Sequence, residues 1–345
     1  MAGTEEMRGA APQDGSETAR AAERLAEGLA AGDRRALARA ITCVESTQPA
    51  HRAVARTLLH RLGPETAGLR IGLTGTPGVG KSSFIERFGL MLIEEGHKVA
   101  VLAVDPSSAR SGGSILGDKT RMERLARARA AFIRPSPAGA ALGGVARRTR
   151  EAIRVVAAAG FDTVIVETVG VGQSETLVAE MTDLFLLLIA PGGGDDLQGV
   201  KRGIMEMADL VVVNKADGAL KPLAEATRAD YSGALSLLRR RPGDPDDIPA
   251  ALTASALTGT GLPEIWERLQ ALDTWRAETG WRAERRRAQA VAAFERAFSE
   301  GLLAAARADS GLAALMAESR GRVASGDLLP EIAAETLLAQ FLGRH

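Results

Sequence analysis

Eight residues, Gly75-Thr-Pro-Gly-Val-Gly-Lys81-Ser82, have the spacing G-x-x-x-x-G-K-[ST]. That spacing suits the binding of phosphate. Glycines let backbone N–H groups turn inward around phosphate oxygens. Gly78, Val79, Gly80 and Ser83 are placed to supply those groups. Lys81 can reach the β- and γ-phosphates, and the Ser82 hydroxyl can ligate magnesium. The flanks support the reading. Residues 69–74 are short and apolar, as a strand is, and 83–95 carry apolar residues at helical spacing. Strand, glycine loop and helix start together make a nucleoside triphosphate site, because the helix adds its positive dipole end.

The base is addressed by a second stretch, Leu210-Val-Val-Val-Asn214-Lys215-Ala-Asp217. It resembles the guanine-specifying motif of GTPases. A carboxylate at Asp217 accepts hydrogen bonds from guanine N1 and the exocyclic amine, a donor pair that adenine lacks. Asn214 is expected to brace the loops, and the Lys215 stem to lie along the base. Ser255-Ala256-Leu257 follows a further apolar run and resembles the loop whose backbone N–H meets guanine O6. Three matches in order select GTP and GDP over adenine nucleotides.

Other polar residues fall just after apolar strands, on the edge where ligands bind. Asp105 closes the run 98–104, and a long loop of Gly, Ser and charge follows it. Asp105 and Asp118 are candidates for the magnesium shell. Lys119, Arg110 and Arg121 approach phosphate in this reading, or are ordinary solvated charge. Glu167-Thr-Val-Gly170 stands where regulatory GTPases carry Asp-x-x-Gly. Glu167 can hold magnesium through water, and the Gly170 N–H can sense the γ-phosphate. Lys81, Asp105, Glu167 and Gly170 are the residues expected at the reacting phosphate. The position after Gly170 often holds a water-orienting Gln; here it is Val171, with Gln173 two residues on. Slow hydrolysis, completed from outside the chain, is the expectation. A third loop, with Asp195, Gln198 and Lys201, follows a triple glycine at 192–194.

The remaining chemistry is sparse. The chain has 345 residues, 46% apolar, with a formal net charge of zero. Bulk charge gives no reason to expect nucleic acid or a membrane surface as partner. Cys43 is the one cysteine, so no disulfide framework is expected, and the four histidines, His51, His60, His97 and His345, lack ligand spacing. A nickel-inserting GTPase is therefore disfavoured. The longest apolar run, 184–190, is far too short to span a bilayer, and the acidic start is unlike a signal peptide. A cytoplasmic protein is expected.

Strand-like segments at 69–74, 98–104, 131–134, 162–167, 184–190, 209–214 and 249–253 alternate with helical ones. That order predicts an α/β fold with a doubly wound, largely parallel sheet. Ligands then sit beyond the carboxyl ends of the strands, where these motifs fall. Residues 1–17 are small and polar and read as a disordered tail; 18–66 form an N-terminal helical extension; 67–272 form the P-loop domain. Residues 273–345 read as a helical arm, with one long helix over about 274–307, that packs on a second copy of the chain.

The segments Val104-Asp-Pro-Ser-Ser108, Gly112-Gly-Ser-Ile-Leu-Gly-Asp-Lys-Thr-Arg-Met122, Glu167-Thr-Val-Gly-Val-Gly-Gln-Ser-Glu175 and Asn214-Lys-Ala-Asp217 together resemble the ArgK/MeaB/MMAA-type P-loop GTPase family, most closely its MeaB members. The resemblance runs from the helical N-terminus to the helical tail. It implies a chaperone of adenosylcobalamin-dependent methylmalonyl-CoA mutase. Such a chaperone uses GTP to gate cofactor delivery from an adenosyltransferase and to protect or reactivate the mutase. It also implies a homodimer through the C-terminal arm, and signalling loops at 105–122, 167–180 and 192–205. A GTP-dependent phosphotransferase, the former arginine/ornithine transport kinase label, is the alternative.

Overall fold

Short runs that are apolar at every position, rather than at alternate ones, must be covered on both faces. A computed structural model describes residues 13–63, 68–104, 122–135, 142–168, 174–192, 202–238, 241 and 243–343. Among these residues, seven largely apolar runs are strands: β1 (Leu69–Gly75), β2 (Val99–Val104), β3 (Ala131–Arg134), β4 (Thr163–Thr168), β5 (Leu184–Ile189), β6 (Leu210–Val213) and β7 (Ala250–Thr253). They form one sheet in the order β3-β2-β4-β1-β5-β6-β7, with every pair parallel. The inner five are buried throughout; only the edge strands β3 and β7 are partly exposed.

Each face has its own core. On one, Phe84, Ile85, Phe88 and Leu92 of α4 (Lys81–Glu94), Leu125 of α5 (Glu123–Arg127) and Ile265 and Leu269 of α10 (Leu262–Glu278) cover Ile71, Leu73, Ile165 and Leu186. On the other, Val145, Ile153 and Val156 of α6 (Leu142–Ala158), Val178 of α7 (Ser174–Ala179), Met205 of α8 (Arg202–Met207) and Tyr231 of α9 (Lys221–Ser236) cover Val164, Val166, Phe185 and Val211. The sheet is doubly wound as expected.

The N-terminal helices α1 (Gln13–Ala30), α2 (Arg34–Glu45) and α3 (Pro49–Leu62) share that second core through Leu29, Leu37, Ile41 and Leu58. They form a helical layer on α6, joined to it by the Arg52–Glu151 ion pair at 2.6 Å. Asp33 caps α2 by accepting from the Arg35 N–H at 2.8 Å. The first helix begins at Gln13, inside the stretch 1–17 expected to be a disordered tail.

The expected long helix at 274–307 is instead two. α10 runs through position 273 to Glu278, and α11 (Trp281–Ala308) starts anew after Gly280, whose φ of 76° only glycine takes easily. The first compact unit extends through Arg286, and the second comprises residues 287–345. In the second unit α12 (Ser310–Ala324), capped by Asp309, packs on α13 (Pro330–Leu342). Phe294 and Phe298 stack on one another there, exposed.

The extension to Arg286 has an electrostatic cause. Arg276 is 1% exposed and donates to Asp209 Oδ1 at 2.7 Å, Asp244 Oδ1 at 2.8 Å and the Asp183 carbonyl at 3.0 Å. Arg286 donates to Asp183 Oδ2 at 2.7 Å. Asp183 and Asp209 immediately precede β5 and β6, so the network pins α10 and the root of α11 to the amino ends of the strands. Burial alone raises both carboxyl groups; Arg286 and Arg70 at Asp183, and Arg276 and Arg241 at Asp209, outweigh it and hold both below the ordinary carboxylate value. With depressed folded-state values, their stabilisation is present above about pH 4 and is lost as pH falls through and below that point. Arg276→Ala leaves buried carboxylates short of a partner and is expected to cost about 3–5 kcal/mol. Urea unfolding checks it; a loss under about 1 kcal/mol contradicts the account.

Candidate functional site

The site lies where β1, β6 and β7 end. After β1 the chain turns through Gly78 (φ 83°) and Gly80 (φ 90°) and enters α4 at Lys81. Lys81 Nζ donates to the carbonyls of Gly75 at 2.7 Å and Thr76 at 3.3 Å, which folds its ammonium over the loop. Ser82 and Ser83 occupy the first turn of α4, whose N–H groups have no intrahelical acceptor.

Asn214 follows β6 and is 1% exposed. Its Nδ2 donates to the Val79 carbonyl at 2.9 Å, and its Oδ1 accepts from the Ala256 N–H at 3.1 Å. One side chain therefore joins three loops. A Cβ added to Gly80 would come within 2.8 Å of Asn214 Nδ2, so glycine is needed there for contact as well as for φ. Lys215 has a φ of 61°, the one positive value at a non-glycine among the described residues. Its Nζ reaches the Gly78 carbonyl at 2.7 Å. Ser255, fully buried, donates through Oγ to Asp217 Oδ1 at 2.5 Å. The bracing role expected of Asn214 is seen directly.

These loops enclose a cavity of about 470 Å³, lined by Gly80, Ser83, Asn214, Lys215, Asp217, Ala256 and Leu257 among the expected residues. Gly78, Val79, Lys81 and Ser82 form the adjoining phosphate loop, and Ser255 stands behind Asp217. Five lining residues escaped the sequence: Glu86, Arg87, Leu90, Arg124 and Leu220. The first three carried a signal, since they lie three, four and seven residues after Ser83 and so share its helix face. Arg124 and Leu220 carried none.

Glu167 is buried near the carboxyl end of β4, paired in register with Leu73. Its neighbour two back, Ile165, belongs to the core under α4, so by strand alternation Glu167 faces the side from which α4 rises. Ser82 and Glu167 thus share an edge and a face of the sheet. A hydroxyl and one carboxylate fit a magnesium ion that takes most of its ligands from phosphate and water. The described residues hold no cluster of three or more His, Cys, Asp or Glu side chains suited to a metal. Asp105, Asp118, Gly170, Val171, Gln173, Asp195, Gln198 and Lys201, with Lys119, Arg110 and Arg121, lie outside the described residues. No described helix is long and apolar enough to cross a membrane.

Asn214→Ala strands the Val79 carbonyl and the Ala256 N–H. It is expected to lower stability by about 1–3 kcal/mol and to weaken nucleotide binding with it. Thermal unfolding and nucleotide titration measure both; unchanged values would remove the bridge from the account.

Comparison with known proteins agrees with this geometry. Residues 37–310 match the family described as methylmalonyl Co-A mutase-associated GTPase MeaB. GTPase ArgK of Escherichia coli is 52% identical over 264 residues, covering 76% of this chain and 79% of its own. The mitochondrial methylmalonic aciduria type A homolog of Mus musculus is 45% identical over 336 residues, covering 94% and 80%. The crystal structure of an LAO/AO transport system kinase superposes with a TM-score of 0.72 at 38% identity, covering 97% of this chain and all of that one. With the phosphate loop, the base loops and seven strands in their expected order, this chain belongs to the MeaB family of P-loop GTPases.

Proposed function

We propose that the chain is a GTP-driven chaperone of adenosylcobalamin-dependent methylmalonyl-CoA mutase. In this reading it gates cofactor loading from an adenosyltransferase and protects or reactivates the mutase. The observation that carries the nucleotide half is the Asn214 bridge, which holds the phosphate loop, Asp217 and the 255–257 loop around one cavity. The family match supports the mutase half.

The chemistry assigned to the chain is binding and orientation. Gly78, Val79, Gly80 and Ser83 offer N–H groups to the phosphates, and Lys81 exchanges its loop carbonyls for phosphate oxygens. Asp217 accepts from the donors of guanine. Ser82 and Glu167, with Asp105 and Asp118, would hold magnesium, which neutralises charge on the phosphates when bound. Gly170 senses the γ-phosphate. Val171 cannot orient water, so turnover is slow until the partner supplies that group. A homodimer through the residues after 273 completes the reading, supported by exposed Phe294, Phe298, Leu302 and Leu303. A cytoplasmic location goes with it.

The test is GTP hydrolysis by the purified chain, alone and with the mutase. The expected result is slow release of free phosphate, strong acceleration by the mutase, and loss of about tenfold or more in both with Lys81→Ala. No acceleration despite GTP binding would overturn the partner. Labelled phosphoryl on an acceptor, instead of free phosphate, would favour the transport-kinase reading.

A further inference from the structure

We propose that Arg285 is a positioning residue for recognition of the γ-phosphate, acting through α7. The inference rests on the reading of Gly170 as the γ-phosphate sensor given above. Ser174, the first residue of α7, stands four positions after Gly170 in the chain. Arg285 binds at the other end of the same helix.

The last carbonyls of a helix have no intrahelical partner. Beyond the end of α7, Arg285 Nη2 donates to the Ala179 carbonyl at 3.1 Å, and Nε donates to the Thr182 carbonyl at 3.4 Å. A guanidinium suits that place. Its donors are paired in a rigid fork, and its charge faces the negative end of the helix dipole. The same stretch rests on β1 at Gly72. A Cβ there would come within 2.8 Å of Val178 Cγ1 and 2.7 Å of Thr182 Oγ1, so α7 sits directly on the strand backbone. One end of α7 is therefore held by β1 and Arg285, and the other is joined to the sensor segment.

Arg285 is itself fixed at the root of α11. It lies 5.2 Å from the centre of the Trp281 ring. The next residue, Arg286, donates to Asp183 Oδ2 at 2.7 Å and to the Gly68 carbonyl at 2.8 Å, just before β1. Stability alone is a poor reason for an arginine here. Burial pushes its guanidinium below the ordinary arginine value, and Arg276 and Arg241 push the same way, against the attraction of Asp209 and Asp183. What the placement provides is a fixed point for α7. An anchored α7 fixes one end of the sensor segment, so less order remains to be imposed when the γ-phosphate binds.

The test compares affinity for GDP and for a non-hydrolysable GTP analogue in the full chain, as wild type, Arg285→Ala, Arg285→Lys and Gly170→Pro. GDP lacks the γ-phosphate, so the ratio of the two isolates its recognition. Arg285→Ala is expected to bind the analogue about fivefold or more weakly, and GDP within about twofold of the wild type. Arg285→Lys keeps the charge without the fork and should recover only part of the loss. Gly170→Pro removes the sensing N–H and should weaken analogue binding by about fivefold or more. If Arg285→Ala does not fold, Arg285→Lys carries the test, with analogue affinity alone reduced by about twofold or more. If the folded Arg285 variant keeps the wild-type ratio while Gly170→Pro lowers it, or loses both affinities in equal proportion, Arg285 is a structural cap only and the proposal is wrong. If Gly170→Pro also keeps the ratio, the γ-phosphate reading of Gly170 falls and the proposal falls with it.

Discussion

The Asn214 side chain is the constraint on which the site depends. Its amide donates and accepts in one plane, and its two ends are used to join the loop after β1 to the loop after β7. Val79 lies before α4, Asn214 after β6 and Ala256 after β7, so the contact unites distant parts of the chain. Burial makes it decisive, because an unpaired carbonyl or N–H there would have no water to turn to. Asp217 gains its position from the same arrangement. Ser255, the residue before Ala256, fixes the carboxylate from behind. Lys215 takes a left-handed backbone that costs roughly 1 kcal/mol or more, and its reach to Gly78 ties the base loop to the phosphate loop a second time.

The two ends of the sheet have different tasks. At the carboxyl ends, loops hold polar groups poised for a ligand and are fastened by a few hydrogen bonds. At the amino ends, the buried carboxylates Asp183 and Asp209 are locked by Arg70, Arg241, Arg276 and Arg286. That network anchors α10 and the root of α11 without adding bulk near the nucleotide edge. The sheet between them is largely apolar on both faces, so the described polar groups gather near its two ends.

The strands were legible because a parallel sheet covered on both faces needs continuous apolar runs, and such runs stand out against Ala- and Arg-rich helices. The glycine loop and the 214–217 and 255–257 stretches stood out as residue patterns, and the structure brings them together around one cavity. What remained hidden depended on three-dimensional neighbours. Arg276 sits in a stretch dense in Ala, Arg and Glu that reads as a solvated arm, yet it is among the most deeply buried side chains. Nothing local distinguishes it from Arg282 or Arg287; only the carboxylates preceding β5 and β6 do. Gly280 was visible as a glycine but not as a helix stop, since an isolated glycine is tolerated within helices. Arg87 was passed over for the opposite reason: its helix position implied a shared face with Ser83, but the base loops that line the same cavity are distant in sequence.

The central claim is that one cavity, assembled by Asn214, selects guanine through the Asp217 carboxylate. It is tested most directly by measuring GDP and XDP affinity for the wild type and for Asp217→Asn. Xanthine carries a carbonyl where guanine carries the 2-amino group, so a side-chain amide suits it where a carboxylate does not. The account predicts a folded variant whose preference shifts from GDP toward XDP by about tenfold or more. A folded Asp217→Asn protein that keeps the wild-type preference would contradict it.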